Sequence, residues 1–124
     1  MGKLFITPMD VILEDSEIYQ PDLLFILNER KNIIEDNKIT AAPDLVIEVL
    51  SVSNAYYDLI TKKKVYESSG VKEYWIVDPL EKTLQIHNLE NQKFLIHQTL
   101  ETKGKVNSSL LPDLEMDIEK IFAD

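Results

Sequence analysis

Residues 42–51, Ala-Pro-Asp-Leu-Val-Ile-Glu-Val-Leu-Ser, place an acidic residue inside an otherwise apolar run. Five of the ten residues are large and aliphatic, and Pro43 and Ser51 close the run. A short apolar run bounded by turn residues predicts a β-strand that is buried on both faces. Inside such a strand, ionised Glu48 costs several kcal/mol unless it is paired, bound to a metal or protonated. Because folding alone would favour valine or leucine there, Glu48 is the first candidate for a functional residue.

The length and composition limit the classes of protein to consider. The 124 residues are enough for a single domain, 1–124, with one core. The chain has no cysteine, which excludes disulfides and thiolate metal ligands. No apolar stretch is long enough to span a membrane and the first residues do not resemble a signal peptide, so we expect a cytoplasmic protein without a membrane partner. The formal net charge of −9 disfavours DNA as a partner, because proteins bind the phosphate backbone through lysine and arginine.

A second apolar run, at residues 21–27, precedes the central run and begins with Pro-Asp. The polar residues 28–41 between the two runs predict a surface connection with at most one helical turn near 31–36. Two strands joined by such a connection can pair in either direction. Because no convincing helix separates them, we expect strands 21–27 and 44–50 to be antiparallel neighbours.

The antiparallel arrangement decides which carboxylates meet. The start of the first strand lies beside the end of the second, so Asp22 is expected near Glu48. Asp44 lies at the far end of the strand, four residues or about 13 Å from Glu48 at the rise of a β-strand. We therefore predict a site containing Asp22 and Glu48, and a structural role for Asp44.

A helix is predicted directly after the central strand, over residues 55–68. Ser, Val, Ser and Asn at positions 51–54 supply its capping residues, and Gly70 ends it. At 3.6 residues per turn Lys62 lies on the inward line of the helix, whereas Lys64 points away. The other residues on that inward line are Ala55, Leu59 and Tyr66. One lysine is thus expected to point towards the end of the central strand, where Glu48 lies.

The remaining apolar runs complete a mixed β-sheet and define the predicted fold class as α/β. Their predicted strands are two peripheral pieces at 4–6 and 11–13, a buried strand at 71–77, and a hairpin at 83–89 and 94–100. The polar residues of these regions are interpreted as structural. We expect His87 and His97 to be exposed on the hairpin, and Asp117 to cap a short helix over 118–123.

Asp22, Glu48 and Lys62 together have the composition of a metal site for phosphate chemistry. Two neighbouring carboxylates can bind Mg²⁺ or Mn²⁺ and leave positions for water and a phosphate oxygen. A nearby ammonium group can stabilise the charge that develops on the phosphate or help to deprotonate the water. The alternative from the same residues is a structural salt bridge between Glu48 and Lys62, with Asp22 only beginning a strand.

Four segments of the sequence, together with Asp58, Lys62 and Tyr66 of the predicted helix, resemble the Uma family of putative restriction-endonuclease-like proteins. The central segment is Ala-Pro-Asp-Leu-Val-Ile-Glu-Val-Leu-Ser-Val-Ser at 42–53, and Gly-Val-Lys-Glu-Tyr-Trp-Ile-Val-Asp-Pro follows at 70–79. The two flanking segments are Gln-Pro-Asp-Leu at 20–23 and Leu-Pro-Asp-Leu at 111–114. The resemblance covers the chain from about Phe5 to Phe122.

The resemblance implies a PD-(D/E)XK nuclease fold, with Mg²⁺-dependent hydrolysis of phosphodiester bonds in DNA. Asp22 matches the aspartate of the motif and Glu48 its acidic residue. The motif lysine would fall at Leu50, and the family supplies a lysine from the following helix, where Lys62 is found. Relative to the family pattern the chain is shortened at its N-terminus. Because nucleases of this fold often dimerise, we expect a homo-oligomer, most simply a dimer.

A second hypothesis belongs to another class of protein. A nuclease fold that has lost catalysis can serve as a protein-interaction or assembly module. The acidic net charge and the short N-terminal region favour this alternative.

Overall fold

A six-stranded mixed β-sheet forms the centre of the computed structural model, which describes residues 1–6, 9–13, 15–50 and 56–122, with only the backbone for 56–58. The strands, in spatial order, are β1 (Gly2–Phe5), β4 (Leu23–Leu27), β7 (Leu45–Val49), β8 (Glu73–Asp78), β9 (Thr83–Glu90) and β10 (Lys93–Glu101). Strands β7 and β8 pair in parallel, and the other neighbours pair antiparallel. The predicted α/β class with a mixed sheet is confirmed.

The pairing of β4 with β7 confirms the prediction on which the site depends. These strands are antiparallel neighbours, with Leu23 opposite Ile47 and Phe25 opposite Leu45. One position further along the same register, Asp22 lies opposite Glu48. Directly opposite residues point to the same face of a sheet. The start of β4 and the end of β7 therefore bring the two acidic side chains to one place.

Helix α1 (Tyr56–Ser69) connects β7 to β8 and covers one face of the sheet. Its predicted position is confirmed, and it ends as expected before Gly70, whose φ of +93° strains any residue with a Cβ. The predicted capping residues 51–54, including Ser51 and Ser53, lie outside the described residues.

Two hydrophobic clusters lie on the two faces of the sheet. The cluster under α1 includes Leu24, Val46, Tyr66, Tyr74 and Phe94. The other cluster is covered by the chain from 106 to 122, and it includes Phe25, Leu45, Trp75, Ile86 and Ile118. Successive residues of β7 alternate between the clusters, as side chains of a strand do. The prediction that this strand is buried on both faces is therefore confirmed.

A second, four-stranded sheet corrects the prediction for residues 28–41. This segment forms a 3-10 helix (Asn28–Ile33) and the strands β5 (Ile34–Glu35) and β6 (Lys38–Ile39), instead of a plain surface connection. Together with β2 (Asp10–Ile12) and β3 (Ile18–Tyr19) these strands form the order β3-β2-β6-β5. Strands of two residues are too short to show alternation, which is why the pattern was missed.

The buried residues Ile33 and Ile39 hold this segment against the rest of the molecule. Both belong to the hydrophobic cluster under α1. They are the apolar members of an otherwise polar stretch. Their burial explains why the segment folds onto the domain instead of extending into solvent.

The C-terminal hairpin is confirmed, but the prediction for His87 is wrong. His87 is only 1% exposed, because β9 lies one strand inside the edge of the sheet. The imidazole ring of His87 also packs against the rings of Tyr74 and Phe94. Its Nε2 lies 2.8 Å from Oε1 of Gln85. Burial, together with the charge of Lys63, lowers the pKa of His87 to about 4.

Two other predictions concern the end of the chain and the hairpin surface. His97 is exposed, as predicted. Asp117 occupies the N-cap position of α2 (Ile118–Ile121), but its side chain makes no capping hydrogen bond, which corrects that part of the prediction. Neither helix has the length and apolar composition that a transmembrane segment requires, within the residues that the structure describes.

Candidate active site

Two acidic side chains meet where the start of β4 lies beside the end of β7, and each accepts a hydrogen bond from the backbone of the neighbouring strand. The N–H of Asp22 donates to Oε1 of Glu48 at 3.1 Å, and the N–H of Val49 donates to Oδ2 of Asp22 at 2.7 Å. These two reciprocal hydrogen bonds extend the antiparallel pairing by using side-chain oxygens as acceptors. They fix two acidic side chains beside each other, Glu48 buried and Asp22 exposed.

Helix α1 brings two more side chains to the second oxygen of Glu48. The ammonium of Lys62 lies 3.5 Å from Oε2, and the hydroxyl of Tyr66 donates to the same oxygen at 3.4 Å. Lys62 and Tyr66 are four residues apart and therefore neighbours on one side of the helix. The structure thus brings together all three residues predicted for the site, Asp22, Glu48 and Lys62.

Glu48 is a carboxylate whose charge is incompletely compensated by the protein. Its residue is 2% exposed, and burial raises the pKa of its carboxyl group. The charge of Lys62 and the N–H of Asp22 lower this pKa, while the charge of Asp22 raises it further. Burial prevails, so the pKa of Glu48 lies above its ordinary value. The ionised form therefore gains from any additional cation.

Asp44, at the opposite end of the strand, has the opposite electrostatic balance. It is fully buried, and it accepts the N–H of Leu27 at 2.8 Å and contacts Lys72 at 3.0 Å and Arg30 at 3.1 Å. Burial alone would raise its pKa, but the Leu27 N–H, Lys72 and Arg30 together lower the pKa below its ordinary value. These contacts are those of an anchor that joins β4, β7 and β8.

A third buried acidic residue, Glu73, was not singled out by the sequence patterns. One of its oxygens accepts from the indole of Trp75 at 2.7 Å and the hydroxyl of Ser108 at 2.6 Å. Its other oxygen accepts the N–H of Leu110 at 3.0 Å. Neutral donors thus satisfy both oxygens and attach the C-terminal segment to β8. A buried acid in a strand is therefore a functional signal only when its charge is left without sufficient partners.

The pair Asp22 and Glu48 has the donor set that Mg²⁺ prefers. Within the part of the chain that the structure describes, no group of three or more His, Cys, Asp or Glu could hold a metal ion. Mg²⁺ commonly uses only one or two protein carboxylates, and it completes its octahedron with water and substrate phosphate. Asp22 is exposed, and its Oδ2 accepts the N–H of Val49. Two carboxylates and no imidazole or thiolate fit Mg²⁺ or Mn²⁺ better than zinc.

Leu50 and Tyr66 are two further residues near this pair whose roles the motif does not describe. Leu50 occupies the position of the motif lysine, and its backbone N–H bonds to the carbonyl of Val77 at 2.8 Å. Its aliphatic side chain provides no charge, so Lys62 is the cation next to Glu48. Tyr66 was predicted only to face the sheet, and its hydroxyl contact with Glu48 was missed. The sequence did contain an indication of this contact, because Tyr66 carries a hydroxyl and lies on the same side of the helix as Lys62.

The fold and this arrangement of side chains together define a protein of the restriction-endonuclease-like class. The mixed sheet agrees with the fold that the resemblance implies, and Asp22, Glu48 and Lys62 are the residues that it assigns.

The chain belongs to the Uma2 family, described as putative restriction endonuclease, whose model matches residues 1–119. It is also similar in fold to a crystal structure of a putative nuclease of DUF820 from Anabaena variabilis, with a TM-score of 0.77 and 20% sequence identity. The similarity covers 98% of this chain and 68% of that chain. The comparison with curated proteins gives no match.

Replacing Glu48 or Asp44, which lie near the two ends of β7, by the corresponding amide tests whether each acid belongs to a metal site or to a structural ion pair. At pH 7 without metal, we expect Glu48→Gln to leave the free energy of unfolding unchanged or to raise it, because the buried charge is removed. Asp44→Asn should lower it by about 2 kcal/mol, since its cations are partly exposed and can return to water. Urea denaturation with EDTA measures both variants.

The carboxyl groups of Asp44 and Glu48 are expected to change the free energy of unfolding with pH in opposite directions. The pKa of Asp44 is lowered, so its stabilisation is present above 3.8 and is lost as the pH falls through the folded-state pKa. The pKa of Glu48 is raised, so its destabilisation develops as the pH rises from 4.5 through the folded-state pKa. A loss of about 3–5 kcal/mol in Glu48→Gln would instead identify a structural pair with Lys62.

Proposed function

We propose that this protein is a metal-dependent endonuclease that hydrolyses phosphodiester bonds of DNA. Asp22 and Glu48 bind Mg²⁺ or Mn²⁺, and Lys62 is the charged residue that assists catalysis. One observation carries the proposal: reciprocal backbone hydrogen bonds hold the carboxylates of Asp22 and Glu48 beside each other, with the ammonium of Lys62 3.5 Å from Glu48. An arrangement that leaves negative charge uncompensated is unfavourable for folding and useful for binding a cation.

The two carboxylates hold the ion from two adjacent strands. Asp22 forms the exposed side of the site, and Glu48 forms the buried side. The hydrogen bonds from Val49 to Asp22 and from Asp22 to Glu48 orient both carboxylates before any ligand arrives. When bound, the metal supplies Lewis acidity for the phosphate and a more acidic water as nucleophile.

Lys62 is suited to stabilise charge on the substrate. Its side chain is 22% exposed, so the ammonium can reach a phosphate at the surface while its stem packs along the helix. In the free protein it neutralises part of the charge of Glu48. With substrate bound, the ammonium turns towards the phosphate, where negative charge accumulates in the transition state.

The acidic net charge does not exclude DNA as the substrate. Three consecutive lysines, Lys62, Lys63 and Lys64, lie on α1, and the ammonium of Lys62 is 3.5 Å from Oε2 of Glu48. At physiological salt, charges act mainly within about 8 Å, so the local cations matter more at the site than the total charge. DNA as the substrate is also what the family description supports.

The interaction-module hypothesis receives less support than the nuclease. A metal-dependent nuclease needs two orientated carboxylates beside a lysine, whereas an interaction module does not require them. The dimer and the cytoplasmic location expected from the sequence remain predictions.

Metal binding and DNA cleavage test the proposal directly. We expect the purified protein to bind Mn²⁺ by calorimetry and to cut supercoiled or single-stranded DNA in the presence of Mg²⁺ or Mn²⁺. Glu48→Gln should lose both properties and remain folded, and Asp44→Asn, assayed under conditions in which it is folded, should keep both. A wild-type protein that neither binds these ions nor cuts either form of DNA would refute the proposal.

The role of Lys62 predicts opposite effects on binding and catalysis. Lys62→Met removes a cation that competes for Glu48, so the affinity for Mn²⁺ should increase. The rate of cleavage should fall by about 100-fold or more, the scale seen when one charge-stabilising donor is lost. Calorimetry and a cleavage time course measure the two effects.

Lys64→Met is the matched control, because Lys64 is on the same helix and exposed. It should change the Mn²⁺ affinity little. If Lys62→Met instead weakened Mn²⁺ binding, Lys62 would be an orienting residue for Glu48 and not the catalytic cation.

A further inference from the structure

The hydroxyl of Tyr66 is a donor to Glu48 that the motif does not assign. It donates to Oε2 of Glu48 at 3.4 Å from a residue that is fully buried. The ring contacts those of Tyr19 and Tyr74, at centroid distances of 5.9 and 5.5 Å. The carbonyl of Tyr66 also accepts the N–H of Val71 at 3.1 Å, just beyond the helix end. These contacts restrict the positions that the hydroxyl can take.

Tyr66 and Lys62 contact the same oxygen but differ in what they can do. Lys62 is long, flexible and partly exposed, and in the proposed reaction its ammonium turns to the phosphate. When it does so, Glu48 loses its cationic partner. The tyrosine hydroxyl is neutral, so it can keep its hydrogen bond to Glu48 without repelling a metal ion.

The two neutral donors on Glu48 fix the plane of its carboxylate. The N–H of Asp22 holds Oε1, and the hydroxyl of Tyr66 holds Oε2. An ionised carboxylate has about four lone-pair positions, so two remain for other ligands. Each oxygen is therefore orientated by one donor and still able to bind a cation.

We propose that Tyr66 is the positioning residue that holds Glu48 in its metal-binding orientation, while Lys62 is the partner that moves to the substrate. This inference rests on the proposed metal-dependent function. It assigns to Tyr66 no contact with the substrate. The residue acts through Glu48 alone, as hydrogen-bonding partners of metal-binding carboxylates do in other metalloproteins.

Removal of the hydroxyl alone tests this role. Tyr66→Phe keeps the ring and its packing, and it should weaken Mn²⁺ binding about 10-fold, within the range for loss of a partner of a metal ligand. Tyr19→Phe is the matched control. It removes a hydroxyl from the same group of rings, but that hydroxyl donates to Asp15 at 2.6 Å and not to Glu48. Its Mn²⁺ affinity should equal that of the wild type.

A second measurement does not depend on metal. In metal-free protein labelled with ¹³C, the Cδ resonance of Glu48 should shift in Tyr66→Phe and stay in place in Tyr19→Phe. A purely structural role for Tyr66 would lower the melting temperature without changing the Mn²⁺ dissociation constant.

The outcomes separate this inference from the proposed function. Wild-type affinity in Tyr66→Phe, or equal weakening in both variants, would overturn the positioning role and leave the nuclease proposal standing. Absence of Mn²⁺ binding in the wild type would overturn the nuclease proposal. In that case the Cδ resonance of Glu48 still tests whether Tyr66 positions the carboxylate. An unchanged resonance in Tyr66→Phe would show that Tyr66 does not hold it.

Discussion

The reciprocal hydrogen bonds between Asp22 and the end of β7 are the interaction on which the site depends. Both donors are backbone N–H groups, so the sheet itself, more than side-chain packing, sets the geometry of the two carboxylates. The antiparallel register of β4 and β7 decides that Asp22 faces Glu48. A shift of the register by one residue would turn β4's apolar side chains to the wrong faces, so the packing of both cores protects the geometry of the site.

Three buried acids show how one sheet can use the same residue type for different purposes. Glu73 is satisfied by neutral donors and attaches the C-terminal segment. Asp44 is paired with two cations and a backbone N–H, which lower its pKa. Glu48 has one cation and a neighbouring carboxylate, and its pKa is raised. Burial is common to all three, and the balance of the partners distinguishes the anchors from the candidate metal ligand.

The sequence was sufficient to predict that Asp22, Glu48 and Lys62 lie together, because their placement depends on local patterns. An acid in an apolar run identified Glu48, the absence of a helix before the strand indicated its antiparallel neighbour, and helical periodicity selected Lys62. The small sheet within 28–41 could not be predicted, because strands of two residues show no periodicity. The burial of His87 and the hydroxyl contact of Tyr66 also could not be read from the sequence. The first depends on the position of β9 inside the sheet and on the rings of Tyr74 and Phe94, and the second depends on how α1 packs against the sheet. Local patterns thus predict elements and candidate residues, and packing decides their partners.

Anomalous scattering from Mn²⁺ in a crystal of the protein would show whether Asp22 and Glu48 bind one ion together. We expect one strong anomalous peak within about 2.0–2.3 Å of a carboxylate oxygen of both Asp22 and Glu48, the spacing of Mg²⁺-like ions. Tyr66 should still contact Glu48, and the peak should be absent from Glu48→Gln. A wild-type crystal in which Mn²⁺ binds elsewhere, or in which Lys62 stays on Glu48 with no peak beside it, would contradict the account.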